Sequence, residues 1–367
     1  MPRLLLFNPE NDVRLGETPG KTPRKLSPNV VALGRDGALL PMWWADDDDY
    51  ILVREQRNAE TEQRADELRA KFGLKGTLLF LNEHVADGII GDPWGWSYDS
   101  AAIMSSAGAK CPDILRTEQI RQLSHRRTGA EIARRLCQLL PFEVPEPATE
   151  CATIDQVREF LSKHNGEGYV KAPWSCSGRG VWKLTAKIDG RTESALTATL
   201  RRQSSLMCER ALDGVQDFAM LFYADSGIAD YRGLSVFDTS GDAYSGNIIA
   251  CEEELLSKLI DAGANRTELT AIREALKIVL SQTVAPWYSG WMGVDMLLQK
   301  NGRIAPCIEL NLRMTMGVVA LYLARWLANS GNSYRYTVGS VSSSPADISI
   351  TGTDRNATFG FYLNKLQ

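Results

Sequence analysis

Over the first hundred positions, apolar residues come in short runs separated by turns. RLLLFN (3–8), ALLPMWW (38–44), YILV (50–53) and TLLFL (77–81) read as strands. Between the last two, AETEQRADELRAKFG (59–73) has helical spacing and closes on glycine, so strand and helix alternate as in an α/β unit. From 114 the period lengthens. TEQIRQLSHRRTGAEIARRLCQLL places Ile120, Leu123, Ile132 and Leu136 near one helical face, and VPEP (144–147) then breaks the chain. Thr153, with Gln156 three residues on, opens TIDQVREFLSKH as a capping box. The strands GYVKAPW and GVWKLT flank a glycine-rich turn, and LMCERAL, FAMLFYAD, YRGLSVFD and NIIACEE read as antiparallel strands. Two helical stretches (252–263 and 267–284) precede the strand pair WMGVDMLLQKNGRIAPCIELNLR, whose turn falls at Asn301-Gly302. A helix from about 316 to 329 leads into a Ser-, Gly- and Thr-rich tail with β character.

Composition bounds this picture. The 367 residues predict two or three packed units at about 150 residues each, and 44% hydrophobic with 23% charged residues excludes bulk disorder. Forty-one Lys+Arg against 45 Asp+Glu, a net charge of −4, removes the basic footprint of a dedicated nucleic-acid binder. Seven cysteines without a C-x-x-C, beside three histidines, support neither a thiolate zinc site nor a disulfide framework, so a reduced, cytoplasmic setting is expected. The opening apolar run is too short for a signal-peptide core. MGVVALYLARWLA carries Arg325 and is shorter than the roughly 20 residues of a spanning helix, so a soluble protein with no membrane partner is expected. The run ADDDDY (45–50) reads as a solvated turn.

One phosphate-loop look-alike fails on spacing. GETPGKT (16–22) has three residues where the motif needs four, Leu15 stands where its first glycine should be, and Pro19, Pro23 and Pro28 oppose the helix that should follow. A proline-rich loop is the better account.

Three other segments carry chemistry. In CIELNLR (307–313) read as a strand, Ile308, Leu310 and Leu312 point to a core, while Glu309, Asn311 and Arg313 share the other face. A carboxylate, an amide oxygen and a guanidinium in a row suit a hard cation and a phosphate; a half-exposed edge strand with a polar face is the alternative. In the partner strand, Asp295 is a lone acid in the apolar run GVDMLL, costly unless paired or metal-bound. Counting equally from the turn pairs 295 roughly with 308, within reach of Glu309. In YVKAPWSCSGRGVWKL (169–184), Lys171 precedes Ser175, Ser177, Gly178, Arg179 and Gly180, small residues that let backbone N–H groups approach phosphate oxygens. A hairpin loop with a surface lysine is the alternative there.

In this order, Lys strand, glycine loop, linker strand with Glu209, Asp295 and Glu-x-Asn-x-Arg resemble the ATP-grasp superfamily, over roughly 115–330. The resemblance implies an α/β protein with α+β lobes, an ATP-grasp fold with a preceding N-terminal α/β domain (1–113). Lobe A would span 114–205, lobe B with the metal site 206–335, and a β-rich tail 336–367. It implies that Lys171 and the 175–180 loop bind the phosphates of ATP and that Glu209 and the Leu212 backbone read the adenine. Asp295, Glu309 and Asn311 would hold Mg²⁺, as two ions, and Arg313 with Lys171 would carry the catalytic charge. The lysine that the superfamily often has in the helix before the strand is replaced by Arg126 or Arg127, with Arg127 preferred; the ribose contact falls near Gln216 or Asp217. The implied activity is an ATP- and Mg-dependent ligase that activates a carboxylate as an acylphosphate for an amine or thiol. Small-molecule or peptide carboxylates and amines would be its substrates, with no nucleic acid and oligomerisation open. A small-molecule kinase and a non-catalytic ATP-binding sensor are the alternatives.

Two further segments bear on substrate. FNPEND (7–12) sets Asn8, Glu10, Asn11 and Asp12 at the sheet edge where α/β folds bind ligands, or forms a polar turn. GDPWGWSYD (91–99) reads either as a lid with Trp94, Trp96 and Tyr98 or as cover for a domain interface.

Overall fold

The computed structural model describes residues 1–17, 20, 22–175, 180–185, 188–240, 243–327, 333–341, 348–352, 354 and 356–366. Arg3–Leu6 (β1), Tyr50–Val53 (β2), Thr77–Phe80 (β3) and Ile90–Pro93 (β4) form a parallel sheet in the order β3-β2-β1-β4. ALLPMWW is not one of its strands: Leu40–Trp43 is a buried 3₁₀ turn. Pro41 has no N–H to give a ladder, and the run is apolar because it lies in the core. The fourth strand is instead β4, inside the glycine- and proline-rich segment. The acidic run is not wholly solvated either, since Asp49 is 1% exposed and paired with Arg3 (Nη2 to Oδ2, 2.5 Å).

The long helical pattern from 114 folds as two helices, Ile114–Leu123 and Arg126–Leu139, broken at Ser124 and His125. Thr149–Cys151 (β5), Glu167–Lys171 (β6), Val181–Thr185 (β7) and Leu206–Glu209 (β8) make a small antiparallel sheet ordered β5-β8-β6-β7. Its own core includes Val157, Leu161, Val170, Leu196 and Leu206. The Thr153 side chain caps its helix by accepting from the Gln156 N–H, but Gln156 Oε1 turns to the N–H of Ala152, so the box closes one residue early.

Among the described residues the largest sheet has eight strands: Gly214–Asp225 (β9), Ile228–Ser240 (β10), Ala243–Ile249 (β11), Gly290–Gln299 (β12), Ile304–Asn311 (β13), Tyr334–Ser340 (β14), Ile348–Ser349 (β15) and Phe359–Lys365 (β16). They run antiparallel in the order β13-β12-β9-β10-β11-β14-β16-β15. Alternation along β9 divides the molecule. Phe218, Met220 and Phe222 enter a core shared with Ile132 and Leu136 of one helix and Ile272 and Leu276 of another. Ala219 and Leu221 face the opposite core, shared with Leu5 and Phe7 of the N-terminal unit and Val318 and Val319 of the helix Met316–Leu327. The N-terminal sheet is thereby fixed to the strands that carry the polar groups. Among the described residues, no helix is long and apolar enough to cross a membrane, and the six described cysteines are free thiols.

Candidate active site

The β12–β13 hairpin turns at Gly302, which takes the left-handed region (φ 80°) that glycine tolerates. Its ladder is irregular beyond Asp295: Leu297 pairs with Ala305, while Asp295 pairs directly with Glu309. The bulge thus brings the two acids face to face, where equal counting offset them by one. It also disturbs the alternation. Leu310 and Leu312 are buried as expected, but Ile308 lines the same cavity as Glu309. The strand ends at Asn311, and Arg313 stands in the turn before the helix Met316–Leu327.

These side chains form a chain of contacts. Asn311 Nδ2 donates to Asp295 Oδ2 at 2.9 Å, and Arg313 Nη2 donates to Asn311 Oδ1 at 2.8 Å. Burial, then the negative charge of Glu309, pushes the Asp295 carboxyl up to about 7, against the opposing pull of Arg313, Asn311 and Arg126. A buried carboxyl facing a second carboxylate, with an amide oxygen beside them, makes a donor set that a hard divalent cation would satisfy. The set fits Mg²⁺ through two acids and one amide; among the described residues no group of three His, Cys, Asp or Glu side chains is placed to hold a metal ion.

A cavity of about 660 Å³ continues from these groups to β6 and β8. Lys171 and Glu209 line it and pair with each other (Nζ to Oε2, 2.5 Å), and Leu212, Gln216 and Asp217 also line it. Ser175 lies beside it, its Oγ accepting from Arg126 Nη2 at 3.2 Å. Gly180 has φ 71°, and a Cβ there would come within 3.0 Å of Ala172. Ser177, Gly178 and Arg179 lie outside the described residues, as do positions 18, 19 and 21 of the GETPGKT stretch.

Arg127 is not brought to the cavity. It is half exposed, 3.9 Å from Glu150, whereas Arg126 is buried in the cleft with Nη1 2.8 Å from Glu309 Oε2 and Nε donating to the Ala172 carbonyl. Helix geometry accounts for the correction. His125 caps the helix, its Nδ1 accepting from the Arg127 N–H at 3.0 Å, and successive residues then diverge by about 100°. Burial and the neighbouring arginines push His125 down to about 3, so it stays neutral and able to accept.

The FNPEND segment is more than a turn. The Asn8 side chain exchanges two hydrogen bonds with the Gly95 backbone (2.9 and 3.2 Å), and Glu10, 2% exposed, pairs with Arg54. Asp12 grips Arg313 from the far side: Oδ2 lies 2.7 Å from Nη2 and 2.9 Å from Nε. Sequence reasoning gave Asp12 no specific role; its one signal was its place just beyond the first parallel strand. Gly95 permits the approach, because a Cβ there would stand 2.5 Å from Asn11 and 3.1 Å from Arg313. Trp94 is buried edge-on against Phe7 (5.0 Å) and takes the Met314 N–H on its carbonyl, so the tryptophan segment covers the interface between the N-terminal unit and the large sheet.

A parallel α/β unit, a small antiparallel sheet and a large one, closing on a cavity lined by lysine, paired acids and Glu-x-Asn-x-Arg, have the ATP-grasp fold. Solved ATP-grasp structures share it along the whole chain. Biotin carboxylase from Campylobacter jejuni, in a β-γ-ATP complex, aligns with TM-score 0.56 at 11% identity, covering 100% of this chain and 88% of that one. N5-carboxyaminoimidazole synthetase from Staphylococcus aureus, complexed with ADP, gives 0.53 at 8% identity over 100% and 93%. N5-carboxyaminoimidazole ribonucleotide synthetase from Thermus thermophilus gives 0.52 at 12% over 100% and 94%. No protein-family model matches the chain, and no curated protein is similar to it in sequence. At these identities the likeness carries the fold alone.

Proposed function

We propose that this protein is an ATP- and Mg²⁺-dependent ligase that joins a carboxylate to an amine or thiol. The observation that carries the reading is the Asp295–Glu309 pair, directly opposed across two strands and joined through Asn311 to Arg313, in one cavity with Lys171 and Glu209. Solved proteins of the same fold are described with ADP, with a β-γ-ATP complex, or with MgADP and bicarbonate, and these descriptions support a nucleotide in the equivalent cleft. On this reading the chain divides into the N-terminal unit to about 113 and two lobes that clasp the nucleotide, with the β-rich segment from about 336 completing the large sheet.

Asp295, Glu309 and Asn311 would hold Mg²⁺, which when bound offsets phosphate charge. Lys171, with backbone N–H groups of the 175–180 loop, would neutralise the phosphates, and the adenine would lie against Glu209 and the Leu212 backbone. Arg313 would stabilise charge on the transferring phosphoryl group. A substrate carboxylate oxygen attacks the γ-phosphorus and the bond to ADP breaks, leaving an acylphosphate. The amine then attacks the acyl carbon, phosphate departs with the bonding electrons, and the amine loses a proton. The protein's part is positioning and charge, which its scarcity of histidine permits.

The test is ADP release from Mg·ATP across a panel of carboxylic acids, with hydroxylamine as the trap. A hydroxamate marks the acylphosphate; a stable phosphoester would instead make the protein a kinase. Nucleotide binding without ADP release on any acid would make it a sensor. Glu309→Ala should abolish ADP release, and persistence of turnover in that variant would overturn the assignment.

A further inference from the structure

We infer that the half of the cavity beyond Arg313 seats the acid to be activated, and that this acid has an uncharged body carrying a hydrogen-bond acceptor received by Ser235. The inference rests on the ligase reading and adds a substrate class to it. The floor of this half is a directed relay. The Tyr244 hydroxyl donates to Asn247 Oδ1 at 2.6 Å, and Asn247 Nδ2 donates to Ser235 Oγ at 2.7 Å. Burial raises the Tyr244 phenol, so it stays protonated and the relay keeps its direction. Asn247 and Ser235 are 1% and 2% exposed, and all three residues line the cavity. Among the described residues, the Ser235 hydroxyl hydrogen has no acceptor. A donor polarised by two preceding hydrogen bonds is therefore left for a ligand.

The neighbouring helix leaves it room. A Cβ on Gly317 would stand 2.5 Å from Ser235 Oγ, so any larger residue in that first turn would crowd the hydroxyl. The remaining walls are set by charge and shape. Trp94, Leu33, Phe237 and Met316 are apolar or aromatic, and the charged groups lining the cavity beside them are Asp12 and Arg313, which pair with each other, and Asp217, which lies opposite Phe237; Arg335, near Tyr244, is already paired with Asp238. The other cavity cations, Arg126, Lys171 and Arg210, belong to the side bounded by β6 and β8. A second phosphate or carboxylate on the acid would lose hydration here without gaining a cation. A keto, amide or hydroxyl oxygen would gain the Ser235 donor.

The experiment uses the full chain with Mg·ATP and hydroxylamine, and three sets of small acids matched in size: uncharged with a keto or amide oxygen, plain aliphatic, and phosphorylated or dicarboxylic. The first set should show the lowest KM. Ser235→Ala should raise KM for that set about fivefold to tenfold, the worth of one hydrogen bond, while leaving the plain acids unchanged. Calorimetric titration of the same acids in the presence of Mg·ADP should give the same order, and an unchanged Mg·ADP affinity shows that the variant is folded. Preference for phosphorylated or dicarboxylic acids, or an equal effect of Ser235→Ala on all acids, overturns the inference and leaves the ligase reading intact. Failure of the wild type to bind Mg·ADP overturns the ligase reading and this inference with it.

Discussion

Two carboxylate-bearing regions meet at Arg313, and they are satisfied in different ways. In the β12–β13 hairpin Asp295 is buried opposite Glu309, and burial first, then that neighbouring charge, pushes its carboxyl up to about 7, while Glu309 is paired with Arg126. In the N-terminal loop, each acid has a dedicated cation: Glu10 has Arg54 and Asp12 has the fork of Arg313. A region in which a buried acid, Asp295, has no ion-pair partner among the described residues is poised for a cation from outside, whereas one whose acids are each matched is fixed in place. The hairpin is the proposed chemical half and the loop its rigid support.

The sharpest way to break the contrast is Asp295→Asn, which should lower ADP release at least about a thousandfold if the acid holds the metal. The same variant tests the buried acid without turnover. The folded pKa is raised from 3.8 to about 7, so between those values the folded protein holds a proton that the unfolded chain has released. Stability should therefore fall as pH rises across that window, and above about 7 the buried charge weighs in full. Urea unfolding of Asp295→Asn should lack this decline. Mg²⁺ should raise the melting temperature of the wild type at pH 8 and do so far less in the variant. A wild-type profile parallel to that of the variant would remove the contrast.

Asp12→Asn probes the junction. It keeps the shape but removes the charge that aligns the guanidinium, and a loosely held arginine loses part of its advantage in a transition state. We expect kcat to fall about tenfold to a hundredfold with the Mg·ADP dissociation constant nearly unchanged. An equal loss in nucleotide affinity would make Asp12 part of the nucleotide site instead.

The difference between the regions also explains what the sequence could reveal. Glu309, Asn311 and Asp295 are legible because strand alternation and an Asn-Gly turn are local signals, and the lysine strand is legible for the same reason. The bulge that sets the acids opposite each other is legible only in part: Pro306, which has no N–H for a ladder, lies between Ala305 and Glu309 where the register slips, but it does not say by how much. Asp12 lies 301 positions from Arg313, and that contact follows from two cores meeting across β9, which no local pattern encodes. ALLPMWW misled for a related reason: a buried turn and a strand have the same apolar composition, and only Pro41 spoke against the ladder.

Asn8→Ala should act on stability more than chemistry. It removes two buried hydrogen bonds to the Gly95 backbone, leaving that N–H and carbonyl without these partners, at a cost of about 2 kcal/mol in urea unfolding. A modest loss of kcat should follow, since Gly95 lies against Arg313. Unchanged stability would show that the loop is held chiefly by the Glu10–Arg54 pair.

The smallest effect discriminates between neighbours on one helix. Arg126 and Arg127 are adjacent, yet one is buried against Glu309 and the other half exposed near Glu150. Arg127→Ala should leave Mg·ADP affinity within about twofold and stability within about 0.5 kcal/mol, because an exposed pair at 3.9 Å is screened by solvent. Arg126→Ala should weaken nucleotide binding by about tenfold or more, since it removes the cation nearest the paired acids and the tie to Ser175. Reversal of that order would mean that the helix turns when the cleft is filled, exchanging the arginine that faces the cavity.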